Sequence, residues 1–267
     1  MSALGLRPRR GLSQSFLQDE RVAAGIVRAA HLESGDEVLE VGPGLGVLTG
    51  RLLRAARRVV AVELDTSLAE ALRSEFGAAP LEVHNQDILT FDPATAFSER
   101  YVVVANLPYH ITSPALRHLL ASGPPFASRL VVMVQAEVAD RLAASVGDLS
   151  SLAVAVQVQA KVRRVLRVPA SAFYPRPRVA SAVIALEPLP EDGRAIPRPE
   201  HDEFVRFVQA GFKQPRKQLA NSLSEGLGVP KPSGVGLLKR ADIEPARRPQ
   251  DLEVQEWVRL FRAWQAG

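Results

Sequence analysis

The sequence predicts an α/β protein: a doubly wound, Rossmann-like parallel sheet with helices on both faces, followed by a small all-α C-terminal domain. Three observations carry this. Short runs of β-branched residues alternate with stretches of helical period, as in βα units that feed a parallel sheet. A glycine-rich break, Gly42-Pro43-Gly44-Leu45-Gly46, stands between the first sheet strand and the helix after it. Beyond a proline-dense stretch, with prolines at 188, 190, 197 and 199, the apolar period becomes helical and stays so.

Each element has a local reason. Asp19 is a helix cap, and Val22, Ala23, Ile26, Val27 and Ala30 then fall on one face. Gly35-Asp36 is a turn, and residues 37–41 form a strand that runs into the glycine loop. Residues 47–56 are expected as a helix, 59–62 as a second strand ending at Glu63, and 66–76 as a helix capped by Asp65 or Thr66. Residues 81–84 are a third strand, with Gln86-Asp87-Ile88 just past its end. The apolar run that opens at Val102 is a fourth, stopped by Pro108, which has no N–H for a ladder and biases Leu107 away from helix.

Ser113 is expected to cap a helix to about residue 121, with Pro114 at its first position. A fifth strand at 130–134 and a helix at 136–144 follow, then two further strands at 153–161 and 179–186. The C-terminal helices are expected at 202–212, 216–224, 235–240 and 252–264. Domain boundaries follow: 1–187 for the sheet domain, 188–199 for a linker, and 200–267 for the helical domain.

Composition removes several function classes. The 267 residues are 46% hydrophobic, and no apolar run approaches the roughly 20 residues of a membrane span. Arg7, Arg9 and Arg10 are not followed by an apolar region, which argues against a secretory signal, so a cytoplasmic protein is expected. With no cysteine there is no disulfide, thiolate nucleophile or thiolate metal site. The five histidines lack the i, i+4 spacing of a helical zinc site, so no metal is expected. The net charge of +4 is concentrated. Lys161, Arg163, Arg164, Arg167, Arg176 and Arg178 occur with no acid between them, and Lys213, Arg216 and Lys217 form a second cluster. Such clusters suit a phosphate backbone.

The chemistry is written at the strand ends. Glycines in the 42–46 loop let the backbone approach a ligand closely. Glu63 follows Gly42 by about 20 residues, the spacing of an acid that takes ribose hydroxyls. Glu40 precedes the loop and is expected beside the ligand. A carboxylate there repels a pyrophosphate and favours a positive group, such as the ammonium of a methionine moiety. S-adenosylmethionine has that ammonium, a sulfonium and a ribose. Asp87 can then accept from an adenine amino group. Three acids at successive strand ends around one glycine loop make a cofactor site.

Asn106-Leu107-Pro108-Tyr109 ends the next strand with an amide, carbonyls held in a stiff turn, and a ring. An adenine amine is a poor nucleophile because its lone pair is delocalised. Acceptors for its two N–H bonds, the Asn106 side-chain oxygen and the Leu107 carbonyl, localise that pair and aim it. Tyr109 can stack on a base that has left its stack.

With these residues in view, the chain resembles the ribosomal RNA adenine dimethyltransferases, in the small-subunit branch that modifies two adjacent adenines near the 3′ end of 16S rRNA. Nearly the whole chain takes part. Ser13–Leu17 resembles the family's Gly-Gln-Asn-Phe-Leu segment. Glu40–Gly46 matches the cofactor loop, Val62–Asp65 the ribose segment, Gln86-Asp87 the adenine segment, and Asn106–Tyr109 the target-base motif. Phe173, in Ser171–Pro177, resembles an aromatic that faces the flipped adenine. Residues 212–223 resemble a basic helix of the C-terminal domain.

The resemblance implies a class I S-adenosylmethionine-dependent methyltransferase sheet. It implies cofactor contacts from Ser15, Leu17, Glu40, Gly42, Gly44, Glu63, Asp87, Ile88 and Asn106. Target-base contacts are implied from Asn106, Leu107, Pro108, Tyr109 and Phe173. Arg176, Arg178, Lys213, Arg216 and Lys217 are the RNA-binding candidates. The implied partner is 16S rRNA in a 30S subunit or precursor particle, met by a monomer. Four departures stand out. Ser15 replaces a usual Asn, Ala136 a usual Lys, Leu149-Ser150 a usual Tyr-Gly, and Pro215 a usual basic residue. Alternatives are a 23S rRNA adenine methyltransferase of the macrolide-resistance type and a non-catalytic RNA-binding assembly factor. A nicotinamide dehydrogenase is disfavoured by Glu40.

Overall fold

The structure, a computed structural model, describes residues 15–267. Arg7, Arg9, Arg10, Ser13 and Gln14 lie outside the described residues. The described residues form two compact units: those up to 139 with 162–188, and residues 140–161 with 189–267.

The first unit carries the sheet. Its strands are β2 (Glu37–Val41), β3 (Arg58–Glu63), β4 (Leu81–Asn85), β5 (Tyr101–Asn106), β6 (Ala127–Gln135), β7 (Ala160–Val168) and β9 (Ser181–Pro188), in the order β4-β3-β2-β5-β6-β9-β7. β2 through β6 run parallel and β9 joins β6 antiparallel. The order moves outward one way from β2 to β4 and then the other way from β5. β2 and β5 therefore flank the topological switch point, where open α/β sheets take their ligands.

Local chemistry explains the helices of this unit. α1 (Glu20–Ala30) starts where the Asp19 carboxylate accepts from the backbone N–H groups of Arg21 and Val22. Its Val22, Ala23 and Ile26 join Val104, Val131 and Val183 in the core. α3 (Thr66–Phe76) starts in the same way at Asp65. α2 is shorter than the expected 47–56: only Thr49–Leu52 is α-helical, with no side-chain cap at its start. α4 (Thr112–Ala121) follows a 3-10 turn at Tyr109–Ile111, so its cap is Ile111 rather than Ser113, and Pro114 sits in the first turn, where its missing N–H costs nothing. α5 is Ala136–Leu142. A small ribbon adds β1 (Phe16–Leu17) against β8 (Phe173–Tyr174). Neither strand is legible locally, because two residues carry no period.

The largest revision concerns residues 153–161. The Ala/Val alternation there reads as a strand, yet α6 (Ser151–Gln157) is a helix, started by the Ser150 hydroxyl accepting from Ala153 N–H. Ala153, Val154, Ala155 and Val156 are all buried. Burial on successive positions satisfies a helix inside a core as well as a strand, and packing decides. The proline stretch at 188–199 is revised too. Ile196 is fully buried and Arg194 is nearly so, donating to Gln159 Oε1 at 2.6 Å, so the stretch belongs to the second unit's packing.

In the second unit α7 (His201–Gly211), α8 (Leu219–Leu227), α9 (Lys231–Arg240) and α10 (Val254–Gln265) surround Trp257, Phe204, Phe207 and Phe261. α8 and α9 begin away from the expected 216 and 235 because Gln218 and Pro230 hold the extended entry to each. α7 and α8 meet through Gly226, where an added Cβ would lie 2.1 Å from the Ala210 carbonyl oxygen. Backbone cannot yield there, so Gly226→Ala is expected to lower the second unit's stability by about 1–3 kcal/mol despite better helix propensity. Gly236→Ala, whose Cβ would meet only Arg240 at 3.9 Å, is expected to be neutral or mildly stabilising. Both tryptophans lie in α10, so urea titration followed by tryptophan fluorescence reads this unit. Equal midpoints for the two variants would refute the close-contact account. Among the described residues no helix is long and apolar enough to cross a membrane.

Candidate active site

The switch point opens into a cavity of about 220 Å³ within the first unit. Its floor is the loop after β2. Gly42, Gly44 and Gly46 have φ of +67°, +58° and +78°, in the left-handed region that side-chain-bearing residues avoid. Gly42 must also be bare because a Cβ there would press on the Asn106 carbonyl at 3.3 Å. This close approach brings the end of β2 against the end of β5, whose register pairs Val41 with Ala105.

Glu63 organises the loop. One carboxylate oxygen accepts from Gly44 N–H at 3.1 Å and the other from Asp65 N–H at 2.9 Å. Burial pushes its pKa up, and the backbone N–H groups partly offset that. Each oxygen keeps a lone pair for a ligand hydroxyl. Asp87 accepts from Leu89 N–H at 2.9 Å and starts a 3-10 turn at Ile88–Thr90, which aims Ile88 into the cavity wall.

On the opposite strand end, Leu107 N–H donates to the Met133 carbonyl at 3.1 Å, which fixes the backbone just past Asn106. Pro108 presents its own carbonyl to Ile111 N–H and Thr112. Among the described residues, neither the Asn106 side chain nor the Leu107 carbonyl has a hydrogen-bond partner. Two free acceptors are thus held in a stiff turn on the cavity wall. The Tyr109 hydroxyl meets Ser181 Oγ at 3.0 Å. Phe173, buried on β8, also lines the cavity, and its β1 partner Leu17 lies beside it.

The structure therefore brings Ser15, Leu17, Gly42, Gly44, Glu63, Asp87, Ile88, Asn106, Leu107, Pro108, Tyr109 and Phe173 to one cavity. Glu40 is the exception. It lies on β2, fully buried, and does not line the cavity. Among the described residues neither carboxyl oxygen reaches a hydrogen-bond partner. Desolvation raises its pKa to about 8; nearby Thr49 tempers the shift and Glu63 adds to it. The structure thus places Glu40 buried behind the cavity lining, where the sequence led us to expect an open carboxylate on it.

Sequence reasoning missed Phe16, Leu64 and Ser181. Phe16 covers the loop, 3.1 Å from where a Gly44 Cβ would be. Leu64 is 54% exposed at the cavity edge, an apolar side chain available to a flat ring. Its position between Glu63 and Asp65 was the available signal. Ser181 is 72 positions from Tyr109, and nothing local announces it.

Of the RNA-binding candidates, Arg176 and Arg178 are exposed on the segment just after Phe173, in the first unit. Lys213, Arg216 and Lys217 are exposed between α7 and α8 in the second, and Lys213 lies 3.8 Å from Glu225. Arg163 and Arg167 are exposed on β7, the sheet's edge, where charge also blunts edge pairing.

Residues 5–265 match the family model described as ribosomal RNA adenine dimethylase. A ribosomal RNA small subunit methyltransferase A from Dehalococcoides mccartyi is 44% identical over 97% of this chain and 89% of its own. One from Desulfitobacterium hafniense is 41% identical over 97% and 93%. Among solved structures, a dimethyladenosine transferase from Plasmodium falciparum superposes with a TM-score of 0.80 at 27% identity, over 94% of this chain and 98% of that one. The 23S rRNA methyltransferase ErmE superposes with a TM-score of 0.69 at 29% identity, over 94% and 99%. The strand order, the loop that closes on Asn106 and a family match across nearly the whole sequence agree: the chain belongs to the ribosomal RNA adenine dimethylase family.

Proposed function

We propose that this protein transfers methyl groups from S-adenosylmethionine to the exocyclic amines of two adjacent adenosines near the 3′ end of 16S rRNA. One observation carries the reading. The glycine loop, Glu63 and Asp87 line the same cavity as Asn106 and Leu107, whose side-chain amide and backbone carbonyl have no hydrogen-bond partner among the described residues.

The residues fit such a cofactor. Gly42 and Gly44 leave room at the loop, Glu63 offers two oxygens to ribose hydroxyls, and Asp87 can accept from an adenine amino group while Ile88 and Leu64 cover the ring's faces. When bound, S-adenosylmethionine supplies an electrophilic methyl on a sulfonium. The chain's part is positioning. Asn106 Oδ1 and the Leu107 carbonyl accept the amine's two N–H bonds, which localises its lone pair and points it along one line. Tyr109 and Phe173 hold the flipped base by its faces. Once the nitrogen carries the methyl it is a cation and sheds a proton to water, so no strong general base is needed.

Arg176 and Arg178 beside the cavity, and Lys213, Arg216 and Lys217 in the helical unit, supply phosphate contacts that position the RNA. The substrate is 16S rRNA within a 30S subunit or precursor, met in the cytoplasm by a monomer. An adenine with two methyls on its amine cannot pair, so it stops reverse transcription. Incubating unmodified 30S particles and 23S rRNA with protein and S-adenosylmethionine, then mapping primer-extension stops, is expected to show two adjacent stops near the 16S 3′ end. Stops or label confined to 23S rRNA would replace this reading with the large-subunit one. No transfer to any RNA would favour a binding factor.

A further inference from the structure

The Tyr109 ring is held by one polar contact. Its hydroxyl lies 3.0 Å from Ser181 Oγ, and among the described residues the phenol has no other partner. The turn that carries Tyr109 begins without a side-chain cap. Ser181 is the opposite kind of residue: fully buried, the first residue of β9, and paired in register with Gln135 of β6. The next backbone link, Ala136 N–H to the Ala180 carbonyl at 3.0 Å, pins the same strand start. A ring with a free hydroxyl pivots between rotamers; a ring tied at its far end does not.

Ser181 also closes the segment that Phe173 opens. The Tyr109 and Phe173 rings are therefore fixed from one stretch of chain, Phe173 directly and Tyr109 through the serine. Arg176 and Arg178 are exposed on the segment between them.

We infer that Ser181 is a positioning residue that acts through the Tyr109 hydroxyl to set the spacing of the two aromatic walls around the target base. The identity of that base as adenine rests on the function proposed above. The bland alternative is that a buried serine simply takes the nearest hydroxyl as its partner.

A variant series separates the two. A hydrogen bond of this kind corresponds to roughly a 3–10-fold effect on rate. Ser181→Ala and Tyr109→Phe each remove it, and each is expected to lower kcat for 30S methylation by that factor. The KM for S-adenosylmethionine is expected to stay unchanged. The double variant is expected to be no slower than either single, and Ser181→Thr, which keeps a hydroxyl, is expected to recover most of the rate. Melting curves for each variant show whether any loss is only a loss of folded protein.

A second measurement needs no substrate. The sequence has three tyrosines, so 3-fluorotyrosine labelling gives three fluorine resonances. The Tyr109 signal, assigned by its absence in Tyr109→Phe, is expected to shift or broaden in Ser181→Ala while the other two hold. If the wild type methylates nothing, the adenine reading fails and the fluorine spectrum still decides the tether. An unchanged Tyr109 signal, an unchanged kcat in Ser181→Ala, or multiplicative losses in the double variant would overturn the inference.

Discussion

Asn106→Ala is expected to lower methyl transfer by at least about 100-fold, the scale of losing one preorganised polar contact to the reacting group. S-adenosylmethionine binding should stay within about threefold, since Glu63, Asp87 and the glycine loop remain. The reason is geometric. The amide stands at the end of β5 with no partner of its own among the described residues, and the backbone behind it is held by the Leu107–Met133 bond, which the substitution leaves in place. Alanine thus removes an acceptor without removing the turn. Asn106→Asp keeps an acceptor oxygen and is expected to retain more activity than Asn106→Ala. Single-turnover transfer to 30S particles, with calorimetry for the cofactor, reads both quantities. Transfer within tenfold of wild type in the alanine variant would mean that Asn106 does not orient the amine.

The second large effect is on stability. Glu40 is fully buried and its pKa is raised from 4.5 to about 8, chiefly by desolvation. Between those values the folded chain keeps a proton that the unfolded chain has released. Glu40's contribution to stability is therefore expected to fall as pH rises from about 4.5 and to level off above about 8. The full difference corresponds to about 4–5 kcal/mol, at about 1.4 kcal/mol per pKa unit. Glu40→Gln cannot ionise. Its Tm should differ from the wild type's by a constant offset near pH 4.5 and gain on it steadily to pH 8.5, by roughly 5 °C or more. Scanning calorimetry across that range is the measurement. Parallel Tm curves for the two proteins would show that Glu40 ionises in the folded state as freely as in the unfolded one.

Legibility followed the range of the interactions. Asp19 and Asp65 as caps, the glycines of the 42–46 loop and the break at Pro108 could be read because each acts on backbone a few residues away. β2, β3, β5 and β6 could be read because a buried strand announces itself by its own apolar, β-branched-rich run. The short ribbon of Phe16–Leu17 with Phe173–Tyr174 could not, since its partners are far apart in sequence and too short for a period. Residues 153–157, the first part of the strand expected at 153–161, were misread for a related reason, while 160–161 do open β7. Buried Ala and Val serve a helix or a strand, and the Ser150 cap with the surrounding core chose helix. The prolines at 188–199 signalled extended chain, and they could not show that Ile196 and Arg194 are buried in a core.

The sequence by itself determined the first five sheet strands in chain order, the glycine loop, the acids near the strand ends and the Asn-Leu-Pro-Tyr turn, because these depend on steric rules and capping within a few bonds. Tertiary structure alone decided that Glu40 is buried and off the cavity lining, that residues 140–161 join the helical unit, and that the Tyr109 hydroxyl meets Ser181. Burial and contacts between distant residues are properties of the packed chain. A desolvated carboxyl or a tether across 72 positions comes into being only when the sheet closes around it.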